Sequence, residues 1–228
     1  MKKISIIIPI YNEKETLLKI LKKVEGADTL GLEKEIILVD DGSTDGTLDI
    51  LKTLENGYQI IYHEKNLGKG AAIKNGFRAA TGDFILIQDA DLEYNPQNYP
   101  QLLRPILENK ADVVFGSRNL QKNPTDNFSF YLGRRITNLF LNILCGSKLT
   151  DYWTCYKVFK APIVKSLELE CNRFDVEVEM TVKIIKRGYK IVEVPIDYLP
   201  RSISAGKKIK PQDGLIAIWK TIKYKFVS

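Results

Sequence analysis

Short apolar runs alternate with helix-period stretches through the first 117 residues, and this alternation most constrains what the chain can fold into. The runs ISIIIPI (4–10), KEIILVD (34–40), QIIYHE (59–64), DFILIQ (83–88) and ADVVFGS (111–117) read as strands, with helical patterns filling the gaps. Strands that are apolar on both faces must be covered on both sides. The fold class is therefore α/β, a mostly parallel central sheet with helices on both faces. Asn12 with Glu15 reads as a capping signal for the first helix, Ser43 or Thr44 as the cap of the second, and Gly82 as the stop after the third.

After Arg118 the pattern changes. Residues 119–129 (NLQKNPTDNFS) are polar and turn-rich, and 130–145 (FYLGRRITNLFLNILC) read as an amphipathic helix. A strand is expected around 152–160 and a helix from Asp175 to Arg187, stopped by Gly188. In the strand KIVEVPIDYL that follows, Pro195 implies a sheet edge or a bulge. With 228 residues and a hydrophobic fraction of 44%, the chain can bury one substantial core. The expected organisation is a catalytic domain over 1–210 and a basic amphipathic helix over 211–228.

From Arg201 onward seven basic residues face one acid, which accounts for the whole net charge of +6. Such a tail suits an anionic partner: nucleotide phosphates, nucleic acid or a lipid surface. No apolar run approaches the ~20 residues of a membrane span, and MKKISIIIPI lacks a signal-peptide pattern, so a cytosolic chain is expected. Cys145, Cys155 and Cys171 fit no metal-ligand spacing and read as reduced thiols. The segments FYLGRRITNLFLNIL and DGLIAIWKTIKYKF combine large apolar residues with Lys and Arg. In the second, Leu215, Ile218, Trp219, Ile222 and Phe226 form a stripe that either lies on a membrane or packs onto the domain.

Ligands of parallel α/β sheets bind at the carboxyl ends of the strands. Three acidic clusters fall there: Glu13 beside Tyr11 and Asn12, the pair Asp40 and Asp41, and the series Asp89, Asp91, Glu93. In an extended segment Asp89 and Asp91 face one side, where two like charges near a core need a counter-charge. Oxygen-only ligands select Mg²⁺ or Mn²⁺, with substrate phosphates completing the shell, so a metal-bound diphosphate is implied. Asp41 suits a base imide, Glu13 ribose hydroxyls and Tyr11 stacking. The run NLGKGAAIKNG (66–76) offers two readings, a phosphate loop presenting Lys69 or glycines that permit close packing. His63 reads as a surface or edge residue.

IIPIYNE, VDDGSTD, NLGKGAA, DADLEY, VVFGSR and LTDYWTCYKVFK stand in the order and spacing that resemble inverting family 2 glycosyltransferases, in particular the dolichol-phosphate mannosyltransferase-like, polyprenyl-phosphate branch. The resemblance spans roughly residues 4–208. It implies a GT-A (Rossmann-like) fold and a metal-dependent transfer of a sugar from a GDP- or UDP-sugar donor to a polyprenyl phosphate. By likeness, Pro9, Tyr11, Glu13 and Asp41, with Asp40, Lys69, Asp89 and Ala90, bind the nucleotide. Asp89, Asp91 and Glu93 hold Mg²⁺ or Mn²⁺, while Arg118, Arg134 or Arg135, Arg201 and Lys207 bind phosphate on the acceptor side. Where many relatives have a Ser-Gly-Phe-Arg-like run, this chain has Thr154, Cys155, Tyr156 and Lys157.

An anionic acceptor needs positioning more than a base. A saccharide hydroxyl acceptor, the alternative within the family, needs one, for which Asp151 is the candidate, a structural cap being the other reading of that residue. Of Asp175, Glu177 and Glu179 on the helix that follows, the resemblance singles out Glu177 as a site residue. The alternative outside it is a non-catalytic nucleotide- or nucleic-acid-binding protein. The acidic strand ends argue against nucleic acid. A polyprenyl phosphate acceptor further implies a peripheral position on the cytosolic membrane face.

Overall fold

The computed structural model describes residues 1–124, 128–201 and 211–227, with the side chains of 128–130 and 211 excluded. Seven strands form one sheet in the order β3-β2-β1-β4-β6-β5-β7. They are β1 (Lys3–Ile10), β2 (Glu33–Asp40), β3 (Gln59–Tyr62), β4 (Phe84–Ile87), β5 (Val113–Ser117), β6 (Lys157–Lys160) and β7 (Ile191–Pro195). The β3-β2-β1-β4 half is parallel, and β6 is inserted antiparallel between β4 and β5. Strands β4 and β5 are buried at every position, as continuous apolar runs require. Strand β7 pairs only with β5 and is half-buried, so Pro195 does lie on an edge strand.

Helices α1 (Leu17–Gly26), α2 (Thr47–Thr53), α3 (Lys69–Ala79) and α4 (Tyr99–Leu107) make the crossovers of the first half. The two expected caps form differently. Asn12 does not cap α1; its backbone adopts φ 53°, its N–H donates to Ser43 Oγ (2.9 Å) and its Oδ1 accepts from Thr44 N (2.7 Å). At α2 it is Asp45 that accepts from Thr47 N, at 3.0 Å. Both side chains tie the β1 and β2 loops together, and that tertiary demand overrides the local capping pattern.

Strand β6 starts at Lys157, later than its apolar pattern suggests. Side chains take the backbone groups ahead of it: Asn138 Oδ1 accepts from Tyr152 N (3.1 Å), Thr154 Oγ1 from Tyr156 N (3.1 Å), and Lys157 Nζ donates to Tyr152 O (2.9 Å). Helices α5 (Phe128–Cys145), α6 (Ala161–Lys165), α7 (Val176–Lys186) and α8 (Pro211–Phe226) complete the chain, and α8 packs on α5 and α7. Ala217, Thr221 and Tyr224 of α8 face inward, whereas Leu215, Trp219, Ile222 and Phe226 are exposed. The exposed stripe is thus not packed onto the domain. On α5, Leu132, Ile136, Leu139 and Ile143 are exposed at the same helical spacing.

Helix α3 approaches the sheet through Gly76, where an added Cβ would stand 2.3 Å from Ile7 Cγ2. Gly133 of α5 has nothing within 4 Å of the equivalent point. Gly76→Ala is expected to destabilise the protein by about 1–3 kcal/mol through overpacking. Gly133→Ala should stabilise it by roughly 0.5–1 kcal/mol through helix propensity. Urea unfolding of the two variants measures both.

Candidate active site

The carboxyl ends of β1, β2 and β4 open into a cleft of about 280 Å³. Its wall includes Pro9, Tyr11, Glu13, Asp41, Lys69, Asp89, Ala90, Asp91, Glu93, Arg118, Arg134 and Arg201 from the sequence-derived set. Asp40 and Arg135 are not part of it. Asp40 lies beneath the loop, its Oδ2 accepting from Ser43 N (3.1 Å) and its buried Oδ1 without a partner. Arg135 is exposed one residue further along α5, and Lys207 lies outside the described residues.

Asp41 is fixed by three donors. Oδ1 accepts from His63 Nδ1 and Leu67 N, and Oδ2 from Gly68 N, each at 2.8 Å. His63 follows the edge strand β3, as one of its two expected positions has it, but its ring is buried rather than at the surface. Asn75, whose Oδ1 accepts from Arg78, turns its amide N–H to His63 Nε2 at 2.7 Å, so Nδ1 carries the proton donated to Asp41. This network orders the turn before α3. The glycines of that turn serve close packing: a Cβ on Gly68 would meet Asn172 O at 2.3 Å, and one on Gly70 would meet Cys171 O at 2.6 Å. Lys69, held between them, reaches a carboxylate.

That carboxylate is Asp89, whose Oδ1 and Oδ2 lie 2.7 and 2.9 Å from Lys69 Nζ. Burial alone would raise the Asp89 pKa, but the Lys69 charge and hydrogen bond hold it below the usual carboxylate range. Residues 89–93 form a turn rather than an extended segment, with Leu92 at φ 64° and Asp91 Oδ1 accepting from Glu93 N (3.1 Å). Asp91 therefore faces a different cation, Arg201 Nη2, at 3.0 Å. Burial and the charges of Asp89 and Glu93 outweigh that contact and push its pKa up to about 7.

Glu93 is occupied elsewhere: Oε2 accepts from Tyr198 OH (2.7 Å) and Oε1 from Arg201 N (2.8 Å). Both of its oxygens anchor the 198–201 segment. Glu177, at the start of α7, also lines the cleft; it pairs with the buried Lys157 and stands 3.7 Å from Lys69. Lys157, the last residue of the Thr154–Lys157 run, is fully buried. Its Nζ donates to the backbone carbonyls of Tyr152 and Thr154 just ahead of it and pairs with Glu177 on α7, the one distant partner of the three.

Arg118 of the cleft wall and Asp151, which is not among the lining residues, form a buried bidentate pair, Nε–Oδ2 2.6 Å and Nη2–Oδ1 2.7 Å. Burial would raise the Asp151 pKa, but Arg118 holds it below the ordinary range. A carboxylate so paired and so acidic is a poor general base, which corrects the role expected of it. Its work is to orient Arg118, whose guanidinium also stacks over Tyr198 at 5.0 Å. Trp153, Phe174 and Tyr198 join Arg134 in the cleft wall. Their aromatic character alone did not separate them from core residues.

The sequence over residues 5–167 matches the profile of Glycosyl transferase family 2. The undecaprenyl-phosphate 4-deoxy-4-formamido-L-arabinose transferases of Salmonella paratyphi A and Salmonella dublin are each 29% identical over 213 residues, 91% of this chain and 63% of theirs. The chain thus spans less than two thirds of the length of these relatives. Glucosyl-3-phosphoglycerate synthase from Mycobacterium tuberculosis, in complex with Mn²⁺, UDP and phosphoglyceric acid, superposes with a TM-score of 0.74 at 19% identity, over 98% of this chain and 78% of that one. Its UDP complex gives 0.75 at 19% identity over 100% and 81%. With the family profile covering most of the chain and the fold shared with these structures, the protein belongs to glycosyltransferase family 2 and adopts the GT-A fold.

Proposed function

We propose that the protein is a metal-dependent inverting glycosyltransferase that moves a sugar from a nucleotide diphosphate to a polyprenyl phosphate. The observation that carries this reading is the meeting, in one cleft, of the acidic ends of β1, β2 and β4 with an arginine wall built from Arg118 and Arg134. Pro9, Tyr11, Glu13 and Asp41 line the donor half, where Asp41 Oδ2 receives a single hydrogen bond and keeps acceptor capacity for a base N–H. Arg118 and Arg134 suit the acceptor phosphate, and Arg118 is held ready by Asp151. A phosphate is already anionic and asks for orientation only. With Asp151 committed to Arg118, the reading with a hydroxyl acceptor loses its expected base.

Among the described residues no three metal-ligating side chains form a ready cage. That suits Mg²⁺ or Mn²⁺, which are commonly held by one or two carboxylates plus substrate phosphates. Asp89 and Asp91 would be those carboxylates, and the crowding that pushes Asp91 up to about 7 is relieved by a cation. When bound, the ion would offset charge on the leaving diphosphate.

The exposed apolar stripes of α5 and α8, flanked by Lys220, Lys223 and Lys225, fit a peripheral site on an anionic membrane surface, where a lipid-borne acceptor resides. No helix among the described residues is long and apolar enough to cross a membrane. In this reading the expected division at residue 210 sets a donor-binding part over 1–210 beside helix α8, which docks on the surface together with α5.

Thermal melting against UDP and GDP, with and without Mn²⁺, tests the donor reading. One nucleotide should raise the melting temperature only when Mn²⁺ is present, and Asp91→Asn should remove the shift; a shift without metal, or none with either nucleotide, would count against it. The same variant reports on acidity in the metal-free protein. Because the folded-state pKa of Asp91 (about 7) exceeds its ordinary value of 3.8, the folded protein holds the extra proton, and stability from this group is lost as pH rises from 4 through 7. Metal-free Asp91→Asn should match wild type near pH 4 and exceed it by about 1–3 kcal/mol at pH 8, measured by urea unfolding. In co-sedimentation with vesicles containing phosphatidylglycerol, the double variant Ile143→Glu/Trp219→Glu should lose at least about tenfold in binding while keeping its melting temperature.

A further inference from the structure

The cation that neutralises the centre of the cleft belongs to the chain itself. Arg201 Nη1 lies 3.2 and 3.1 Å from the two oxygens of Glu13, and Nη2 lies 3.0 Å from Asp91 Oδ2. The guanidinium therefore bridges the ends of β1 and β4. Its Nε is 3.7 Å from Glu93 Oε1, beyond hydrogen-bond distance, and is buried without an acceptor. One donor of the fork is thus unspent in a site where every neighbour is an acid.

The root of the side chain is pinned independently of its tip. Arg201 N donates to Glu93 Oε1 (2.8 Å), Leu199 N donates to Glu93 O (2.9 Å) and Tyr198 OH to Glu93 Oε2 (2.7 Å). Among the described residues the guanidinium is held by Glu13 and Asp91, with Glu93 near. Asp89 has its own cation in Lys69 and does not depend on Arg201 for a hydrogen bond.

We infer that Arg201 is an exchangeable counter-cation of the donor site: it neutralises Glu13 and Asp91 in the donor-free protein and is displaced from Asp91 by a metal-bound nucleotide diphosphate, to whose oxygens its fork turns. The inference rests on the metal–nucleotide reading above. A divalent ion arriving alone must displace the guanidinium and leave it partly buried with fewer partners, which is costly. A diphosphate arriving alone meets Glu13, Asp91 and Glu93 as like charges. Arriving together, the ion takes the carboxylate and the diphosphate offers the arginine a bidentate partner. Arg201 thereby makes metal and nucleotide bind cooperatively, and by linkage each strengthens the other by the same factor.

Mn²⁺ binding, read from the electron paramagnetic resonance signal of the free ion, tests this on the full chain with and without the nucleotide that gives the melting shift. Without nucleotide, Arg201→Gln should bind Mn²⁺ about tenfold more tightly than wild type, equivalent to ~1.4 kcal/mol. The gain on adding nucleotide should shrink correspondingly. Arg201→Lys, a point charge that cannot span Glu13 and Asp91 together, should lie between the two and serves should the glutamine variant fail to fold. If Mn²⁺ alone binds these variants no more tightly than wild type, while nucleotide still promotes Mn²⁺ binding to wild type, the exchange is wrong and the metal–nucleotide reading stands. If Mn²⁺ binds no protein even with nucleotide, both fall.

Discussion

Strand β1 has parallel partners along both edges, β2 from Lys3 to Ile10 and β4 from Ile4 to Ile7, and from Ile4 to Ile8 its side chains are fully buried. A strand enclosed in this way can release polar groups only at its ends. Because β1, β2 and β4 run in the same direction, their carboxyl ends share one rim, and Glu13, Asp41 and Asp89 are delivered to it without any one loop having to reach far. The cleft is in this sense a consequence of strand direction. Its chemistry is then decided by which charges the rest of the chain supplies.

Those charges are supplied in pairs. Lys69 answers Asp89, Arg201 answers Glu13 and Asp91, Lys157 answers Glu177, and Arg118 answers Asp151. The pairs differ in accessibility. Asp151 and Arg118 are nearly inaccessible and joined by three hydrogen bonds, a geometry that fixes an arginine more than it stores stability. Arg201 and Asp91 retain some exposure and a single bond between them. The first arrangement behaves as a fixed part of the wall. The second leaves Asp91 with an elevated pKa, an acid for which the protein has not supplied full compensation.

The sheet was legible in the sequence because two-sided burial writes itself as unbroken apolar runs, and the acids at the strand ends were legible because they interrupt those runs. The partners of those acids were not. Arg201 is 188 positions from Glu13 and 110 from Asp91, and Arg118 is 33 from Asp151, so no period or spacing links them. Charge alone suggested that Asp151 was available, whereas the fold spends it on Arg118. The edge position of His63 was legible, but its ring partners Asp41 and Asn75, which lie on different elements, were not. Asn12 shows the converse, a sound local cap signal overruled by Ser43 and Thr44 from the next loop.

Helix α5 joins the two surfaces on which the functional reading depends. Arg134 turns to the cleft, while Leu132 and Ile136 on the neighbouring faces are exposed and continue through Leu139 and Ile143 toward the C-terminal end. One turn of helix therefore separates a phosphate-seeking guanidinium from an apolar stripe, and α8 packs alongside with a stripe of its own. A ligand with an anionic head and a long apolar tail presents the complementary distribution. A water-soluble sugar acceptor would use the arginines but would leave both stripes without a partner, at a cost in exposed apolar surface that a soluble domain normally avoids. The proposed amphipathic acceptor would account for both the charge in the cleft and the apolar surface outside it.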